Sequence, residues 1–211
     1  MTQPHSEFGQ FFEALRGETD RAAAVLGPAY VDAALERLFR ARLIAGASDD
    51  VFKYGGPLGS FSARIEMSYA LGWIPKSLRD DLHLMRKIRN AFAHDFNHRL
   101  SFESDQVTQR TLSLTLNQQF ADMAEVSTAK TPDRQRAEAM RAAMVSGLVG
   151  TPRRRFEMAV ANAEVFLGNT VRASTHAPVN GFEWKTTFVG QTDQDLQAHD
   201  SIDLTQLKTE P

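Results

Sequence analysis

Residues 55–95 read GGPLGSFSARIEMSYALGWIPKSLRDDLHLMRKIRNAFAHD, and this stretch decides the fold class of the chain. It opens with a Gly/Pro turn, after which Ser60 is a candidate N-cap for a helix that runs to about Gly72. Pro75 suits the first turn of the next helix, because its missing N–H would be unpaired there anyway. Apolar side chains then recur along one face of that second helix as far as about Asp95. The stretch therefore predicts two consecutive helices.

The rest of the chain repeats the helical pattern on both sides of this stretch. Apolar residues recur at helical spacing in a short first segment, over about 19–45, over 133–148 and again after Pro152. Pro28 lies inside the 19–45 segment, so that helix either kinks or starts afresh there. Residues 111–116 alternate like a strand, but we interpret them as a connection between helices. Together these patterns predict an all-α, multi-helix bundle.

The periodicity ends after Arg172 and divides the chain in two. We expect residues 1–172 to form the helical domain and residues 173–211, which are polar and acidic, to form a disordered tail. The tail holds six of the 26 acidic residues and two of the 24 basic ones, which leaves 20 acids and 22 bases in the body. That small excess of base permits a contact with RNA or DNA without indicating one.

The composition excludes several classes of protein. With no cysteine, the chain forms neither a disulfide framework nor a Cys-ligated zinc site. The N-terminus lacks a signal-peptide pattern, and no apolar run approaches the ~20 residues that span a bilayer. We therefore expect a cytoplasmic protein without a membrane segment. The sequence also lacks a Gly-rich phosphate loop, a Rossmann fingerprint, a helix-turn-helix signature and zinc-ligand spacing, so we expect no cofactor and no bound metal.

The second helix ends on RNAFAH, residues 89–94, which places an arginine, an amide and an imidazole close together. Histidine accepts and donates protons near neutral pH, as RNA cleavage by its own 2′-hydroxyl requires. Arginine binds phosphate in bidentate fashion and stabilises transition-state charge. Asn90, one turn before His94, could orient the imidazole or the phosphate. These residue types suit a phosphate or RNA site.

A helical wheel separates Arg89 from the other polar residues of this helix. Arg86 and His94 belong to a polar stripe, whereas Arg89 falls within the apolar stripe. A guanidinium directed toward a core is costly unless it is paired or reaches solvent. A carboxylate such as Asp20 or Glu18, or a bound anion, would compensate its charge. In this structural alternative Arg89 fixes helix packing, and His94 is a helix C-terminal residue stabilised by the helix dipole.

Taken whole, GPLGSFSARIEMSYALGWI followed by DLHLMRKIRNAFAHD resembles the mannitol operon repressor (MltR) family of small helical bacterial regulators. ETDR at 18–21 and TPRRRF at 151–156 fit the resemblance, which covers roughly residues 18–172. It implies a transcriptional regulator, a repressor of a sugar-alcohol operon. Because no DNA-reading element is recognisable, we expect such a regulator to act through a protein partner, or through an anion or RNA bound at residues 89–94.

Taken alone, Arg89-Asn90-x-x-x-His94 is similar to the active-site motif of HEPN-type helical nucleases. That resemblance implies a metal-independent ribonuclease or toxin with Arg89, Asn90 and His94 as catalytic residues, usually facing a second copy in a homodimer. Asp20 and Arg64 are further candidates because each lies in a family-like segment. An oligomeric scaffold is the third alternative. Whether the chain is an enzyme stays open, and the non-enzymatic interpretation is favoured.

The candidate binding residues are Ser60, Arg64, Arg86 and Asp20. Two smaller signals lie outside this set: a loop at 55–59 and a basic cluster at 153–155. The loop at 55–59 could cradle an anion at the helix start after Ser60, although a sharp turn is the favoured interpretation. Arg153-Arg154-Arg155 is a compact basic cluster in the first turn of a helix. We favour a solvated helix start over a phosphate contact for this cluster.

Overall fold

The structure is a computed structural model that describes residues 4–43, 47–128 and 150–173, together with residues 135, 138, 139 and 142. The α-helices are α1 (Pro4–Gly17), α2 (Asp20–Arg42), α3 (Phe61–Ala70), α4 (Lys76–Ala93), α5 (Asp105–Leu112), α6 (Leu116–Thr128) and α7 (Pro152–Ala173), and a 3-10 turn covers Asp49–Val51. No strand occurs within these described ranges, so the predicted all-α class is confirmed. Most of the predicted 133–148 helix, and residues 174–211 of the predicted tail, lie outside them.

Local capping signals explain why α3 begins and ends where the sequence predicts. The Ser60 hydroxyl oxygen accepts a hydrogen bond from the Ala63 N–H at 3.1 Å, which confirms the predicted N-cap. Gly72 follows the helix with a positive φ of 69°. The Trp73 N–H then donates back to the Ser68 carbonyl at 2.9 Å, as in a Schellman motif. This turn sends the chain directly into α4.

Helix α2 runs without interruption through Pro28, which excludes the second of the two predicted alternatives, a fresh start at that residue. A proline removes one backbone hydrogen bond, but tertiary packing sustains a helix that buries one face. Gly27 and Pro28 are both buried, and a Cβ at Gly27 would lie only 3.0 Å from the Val160 Cγ2 of α7. Glycine therefore permits the close approach of α2 and α7.

The bundle is organised around α2, which packs against α1, α3, α4 and α7. Helix α7 begins beside the start of α2, whereas α4 ends there, so α4 runs opposite to both. The core between these three helices consists of side chains that are fully buried: Val31, Leu35, Leu38, Leu82, Ile88, Phe156, Val160 and Leu167. None of the described helices has the length and apolar character that a membrane crossing needs.

Arg153 of α7 connects its own helix to α2 and to the end of α1 at one end of the bundle. Its Nη1 donates to Asp20 Oδ1 at 2.8 Å and its Nε to Glu157 Oε1 at 2.7 Å. Its Nη2 donates to the backbone carbonyls of Leu15 and Glu18, at 3.0 and 2.8 Å. The guanidinium therefore satisfies carbonyls at the end of α1 that have no partner within that helix.

The predicted solvated helix start at residues 153–155 is wrong. The side chain of Arg153 is only 18% exposed, and Arg154 and Arg155 are also partly buried. A positive charge at a helix N-terminus is unfavourable by itself. Here Asp20 and Glu157 compensate that charge, so the basic cluster holds the fold together.

The contacts that Arg153 makes with Asp20, Glu157 and the carbonyls of Leu15 and Glu18 form what we call the Arg153 junction. Asp20 connects this junction to the segment between α4 and α5. Its Oδ2 accepts a hydrogen bond from the Phe102 N–H at 2.9 Å. The Phe102 ring packs between Phe92 of α4 and Phe156 of α7, with centroid separations of 5.3 and 5.1 Å. The Arg153–Asp20 junction therefore also fixes the segment that follows α4.

Asp81 is a buried carboxylate on α4 that caps a different helix. Its two oxygens accept the Thr115 N–H at 3.0 and 2.9 Å, and Oδ2 accepts the Leu116 N–H at 2.7 Å. Burial raises the pKa of Asp81, while the hydrogen bonds from Thr115 and Leu116 oppose that rise. Because residues 113–115 lie between α5 and α6, the predicted helix connection at 111–116 is confirmed.

We predict that Asp81→Ala lowers the free energy of unfolding by about 2–3 kcal/mol, because it leaves buried N–H groups at the start of α6 without an acceptor. Asp80→Ala is the matched control, since the Asp80 side chain is 44% exposed and pairs with Lys76 and Arg79 near the surface. It should cost less than about 1 kcal/mol. Urea denaturation followed by circular dichroism measures both values. Equal losses would contradict the capping role of Asp81.

Candidate functional site

The predicted catalytic residues lie at the C-terminal end of α4. Arg89 and Asn90 belong to its last turns, and His94 is its C-cap residue, as the structural alternative expected. Arg89 and His94 are exposed, and Asn90 is partly buried. Arg89 Nη1 donates to Asn90 Oδ1 at 3.3 Å. Within the described ranges Arg89 forms no ion pair, and the His94 imidazole forms no hydrogen bond.

The expectation that Arg89 points into the core is therefore wrong. The buried stripe at this level of α4 consists of Ile88 and Phe92. Arg89 lies at the edge of that stripe, from which a long side chain reaches solvent while its stem covers apolar surface. Asp20, one of its expected partners, instead binds Arg153 and the Phe102 N–H.

Arg21 was missed by the sequence analysis, although it follows Asp20 directly. Its Nη1 donates to the Asp95 carbonyl at 2.7 Å, and its Nη2 donates to the Ala93 carbonyl at 3.5 Å. Nη1 also lies 3.3 Å from His98 Nδ1. A contact between residues 74 positions apart leaves no local signal. Arg21 therefore caps the C-terminal end of α4 by binding the carbonyls on both sides of His94.

Residues 93–99, which we call the α4 knuckle, form a fixed turn after α4. Asp95 Oδ2 accepts the Leu100 N–H at 2.7 Å, and the His98 N–H donates to the Asp95 carbonyl at 3.2 Å. His98 adopts a positive φ of 52°, which is uncommon for a residue other than glycine. Phe96, at the centre of the knuckle, is 81% exposed.

Arg64, a predicted binding residue, is built into an ion triad between α2 and α3. Its side chain is 8% exposed, and its Nη1 and Nη2 donate to Asp32 Oδ1 and Glu36 Oε2 at 2.6 and 2.9 Å. Burial raises the pKa of Asp32, whereas the hydrogen bond from Arg64 and the charge of Arg89 act against that rise. Arg64 is therefore committed to packing.

The other predicted binding residues divide into engaged and available side chains. The Ser60 hydroxyl accepts the Ala63 N–H, and Asp20 belongs to the Arg153 junction. Arg86 is partly buried, and its Nε has no hydrogen-bond partner among the residues that the structure describes. Because this Nε is buried, Arg86 is not shown to be available to a ligand, whereas Arg89 and His94 are exposed.

The end of α4 is strongly basic. From residue 86 to residue 99 the sequence holds Arg86, Lys87, Arg89 and Arg99, two histidines and a single acid, Asp95. Asp95 already accepts the Leu100 N–H. In the described part of the chain, no group of three His, Asp or Glu side chains is placed to hold a metal ion. The chemistry that this surface offers is the binding of negative charge.

We predict that Arg64→Met lowers the free energy of unfolding by about 3 kcal/mol, because it leaves two partly buried carboxylates without their shared cation. Arg40→Met is the matched control: Arg40 also pairs with Glu36, but its side chain is 46% exposed. The control should cost less than about 1 kcal/mol. Chemical denaturation of both variants measures the difference, and a loss below that of Arg40→Met would overturn the packing role.

The family model described as "Mannitol repressor" matches residues 21–159, which is 139 of the 211 residues. Among solved structures, the chain is similar to one in the X-ray structure of the MtlR–HPr complex from Escherichia coli, with a TM-score of 0.43 and 18% sequence identity. That alignment covers 80% of this chain and 98% of the other. No curated protein sequence matches the chain.

Proposed function

This chain belongs to the mannitol repressor family, and from that premise we propose that it represses a sugar-alcohol operon by binding a protein partner. The family fixes the regulatory role. The partner is inferred from the surface chemistry of the chain, because the sequence contains no recognisable DNA-reading motif.

The observation that carries the proposal is the engagement of the Arg153-Arg154-Arg155 cluster. Arg153 is bound by two carboxylates and two carbonyls, as described above. Arg154 Nη1 lies 3.7 Å from Glu157 Oε2, and its guanidinium lies over the Phe12 ring at 5.8 Å. DNA binding needs arginine and lysine side chains that are free to neutralise phosphates. Because the Arg153-Arg154-Arg155 cluster has internal partners, it is not free to bind an operator, and we infer that another protein supplies that contact.

The end of α4 supports a protein contact at a different place. Arg89, His94 and Phe96 are exposed there on a backbone that Arg21 holds. An exposed aromatic side chain beside arginine is typical of protein interfaces. HPr is the protein bound to MtlR in the E. coli complex, and it is the first purified partner to test.

We predict that deleting the gene in its host raises the transcript of a sugar-alcohol transport operon, and that expressing the chain from a plasmid restores repression. Quantitative RNA sequencing with and without mannitol measures the change. Unaltered transcripts would contradict a repressor role. In gel-shift assays, the purified chain alone should bind the promoter of that operon no more tightly than unrelated DNA. Tight specific binding by the chain alone would overturn the need for a partner.

Metal-independent RNA cleavage is a second candidate function, favoured by the exposure of Arg89 and His94. His94 would take the proton of the 2′-hydroxyl and return one to the leaving oxygen, and Arg89 would hold the phosphate. Because no hydrogen bond restrains the His94 imidazole among the described residues, it could serve in this way.

We predict that labelled single-stranded RNA in excess EDTA stays intact with the wild type, since the repressor proposal requires no chemistry. His94→Ala and His83→Ala are assayed in parallel; His83 lies three turns before His94 on α4, where its imidazole binds Glu66 of α3. Cleavage by the wild type and by His83→Ala, with none by a folded His94→Ala, would replace the repressor proposal by a ribonuclease.

A further inference from the structure

We propose that the α4 knuckle is the docking surface for the protein partner, and that this partner presents an apolar pocket bordered by carboxylates. Phe96 would insert into the pocket, Arg89 and Arg99 would face the carboxylates, and Arg21 would position the knuckle. This inference rests on the proposed function, because it names the surface through which the repressor acts.

The shape of the knuckle supports an anchor role for Phe96. A side chain that is 81% exposed gains most of its apolar burial only when a partner covers it. The turn beneath it is ordered by three contacts: Arg21 to the Asp95 carbonyl, the Asp95 carboxylate to the Leu100 N–H, and the His98 N–H to the Asp95 carbonyl. Because the backbone beneath Phe96 is already ordered, binding through this side chain costs less conformational entropy than binding through a mobile loop.

The charge around Phe96 selects the chemistry of the partner. Arg89 and Arg99 are exposed, as are the imidazoles of His94 and His98. The carboxylate within the knuckle, Asp95, is already held by the Leu100 N–H. A basic, acid-poor sequence segment that presents an exposed aromatic residue complements a surface rich in Asp and Glu, and it disfavours a basic partner.

Arg21 is a positioning residue in this account. Its guanidinium contacts carbonyls on both sides of His94 and lies beside His98, so it sets the orientation of the whole knuckle. It follows Asp20, which binds both Arg153 and the Phe102 N–H. The partner surface is therefore attached to the junction that connects α1, α2 and α7.

We predict that Phe96→Ala weakens repression of the target operon at least about tenfold in the host, since truncating a central aromatic residue of an interface often lowers affinity by that factor or more. Tyr54→Ala is the matched control, because Tyr54 is also a fully exposed aromatic residue in an ordered loop. It should repress like the wild type. Circular dichroism and thermal melting of the purified variants confirm that each is folded.

Two substitutions of Arg99 test the charge of the partner. Arg99→Glu should reduce repression at least fivefold, whereas Arg99→Lys, which keeps the charge, should retain it. A benzoyl-phenylalanine photocrosslinker at position 96 should form a protein adduct in cells, and one at position 54 should form none. The adduct at position 96 should diminish in the Arg99→Glu background.

The possible outcomes separate this inference from the proposed function. If the wild type represses the operon and Phe96→Ala represses equally well, the knuckle is not the docking surface although the repressor function stands. An adduct of position 96 with RNA, or equal adducts at positions 96 and 54, would also overturn it. Loss of repression by both Arg99 variants would exclude charge recognition. Absence of repression by the wild type would contradict the proposed function itself.

Discussion

The ion pair between Arg153 and Asp20, 2.8 Å long, is the interaction on which the rest of this bundle depends. It joins the first turns of α2 and α7, the two long helices that run side by side. Through its remaining nitrogens Arg153 also binds the carbonyls at the end of α1 and the Glu157 carboxylate. A partly buried guanidinium is favourable only when its donors are satisfied, and here every nitrogen has a partner.

The same junction positions the end of α4, where the candidate site lies. Asp20 uses its second oxygen to hold the Phe102 N–H, and Phe102 packs against Phe92 near the end of α4. Arg21, the next residue, holds the carbonyls of Ala93 and Asp95. Two consecutive residues at the start of α2 therefore connect the packing of the bundle with the surface that presents Phe96 and His94.

Local signals in the sequence predicted the helices well, whereas contacts between distant segments could not be inferred. Ser60 and Gly72 mark the ends of α3 by short-range hydrogen bonding and backbone conformation, which a sequence shows directly. The helical wheel placed Arg89 in the core, because a wheel ignores how far a long side chain reaches at the edge of a stripe. The basic cluster at 153–155 was misinterpreted because its partner Asp20 lies 133 positions away. The sequence suggested the candidate site by its residue types, but the contacts of Arg21 and the exposure of Phe96 required the fold.

Hydrogen exchange measured by mass spectrometry on Arg153→Met tests the central role of the junction most directly. We predict faster exchange at the end of α1, at the start of α2 and in residues 93–104. Arg153 forms no hydrogen bond to residues 93–104, so we expect an effect there to pass through Asp20 and Arg21. The amides of α3 should exchange as in the wild type. An increase confined to the first turn of α7 would contradict the claim that this one guanidinium holds the partner surface in place.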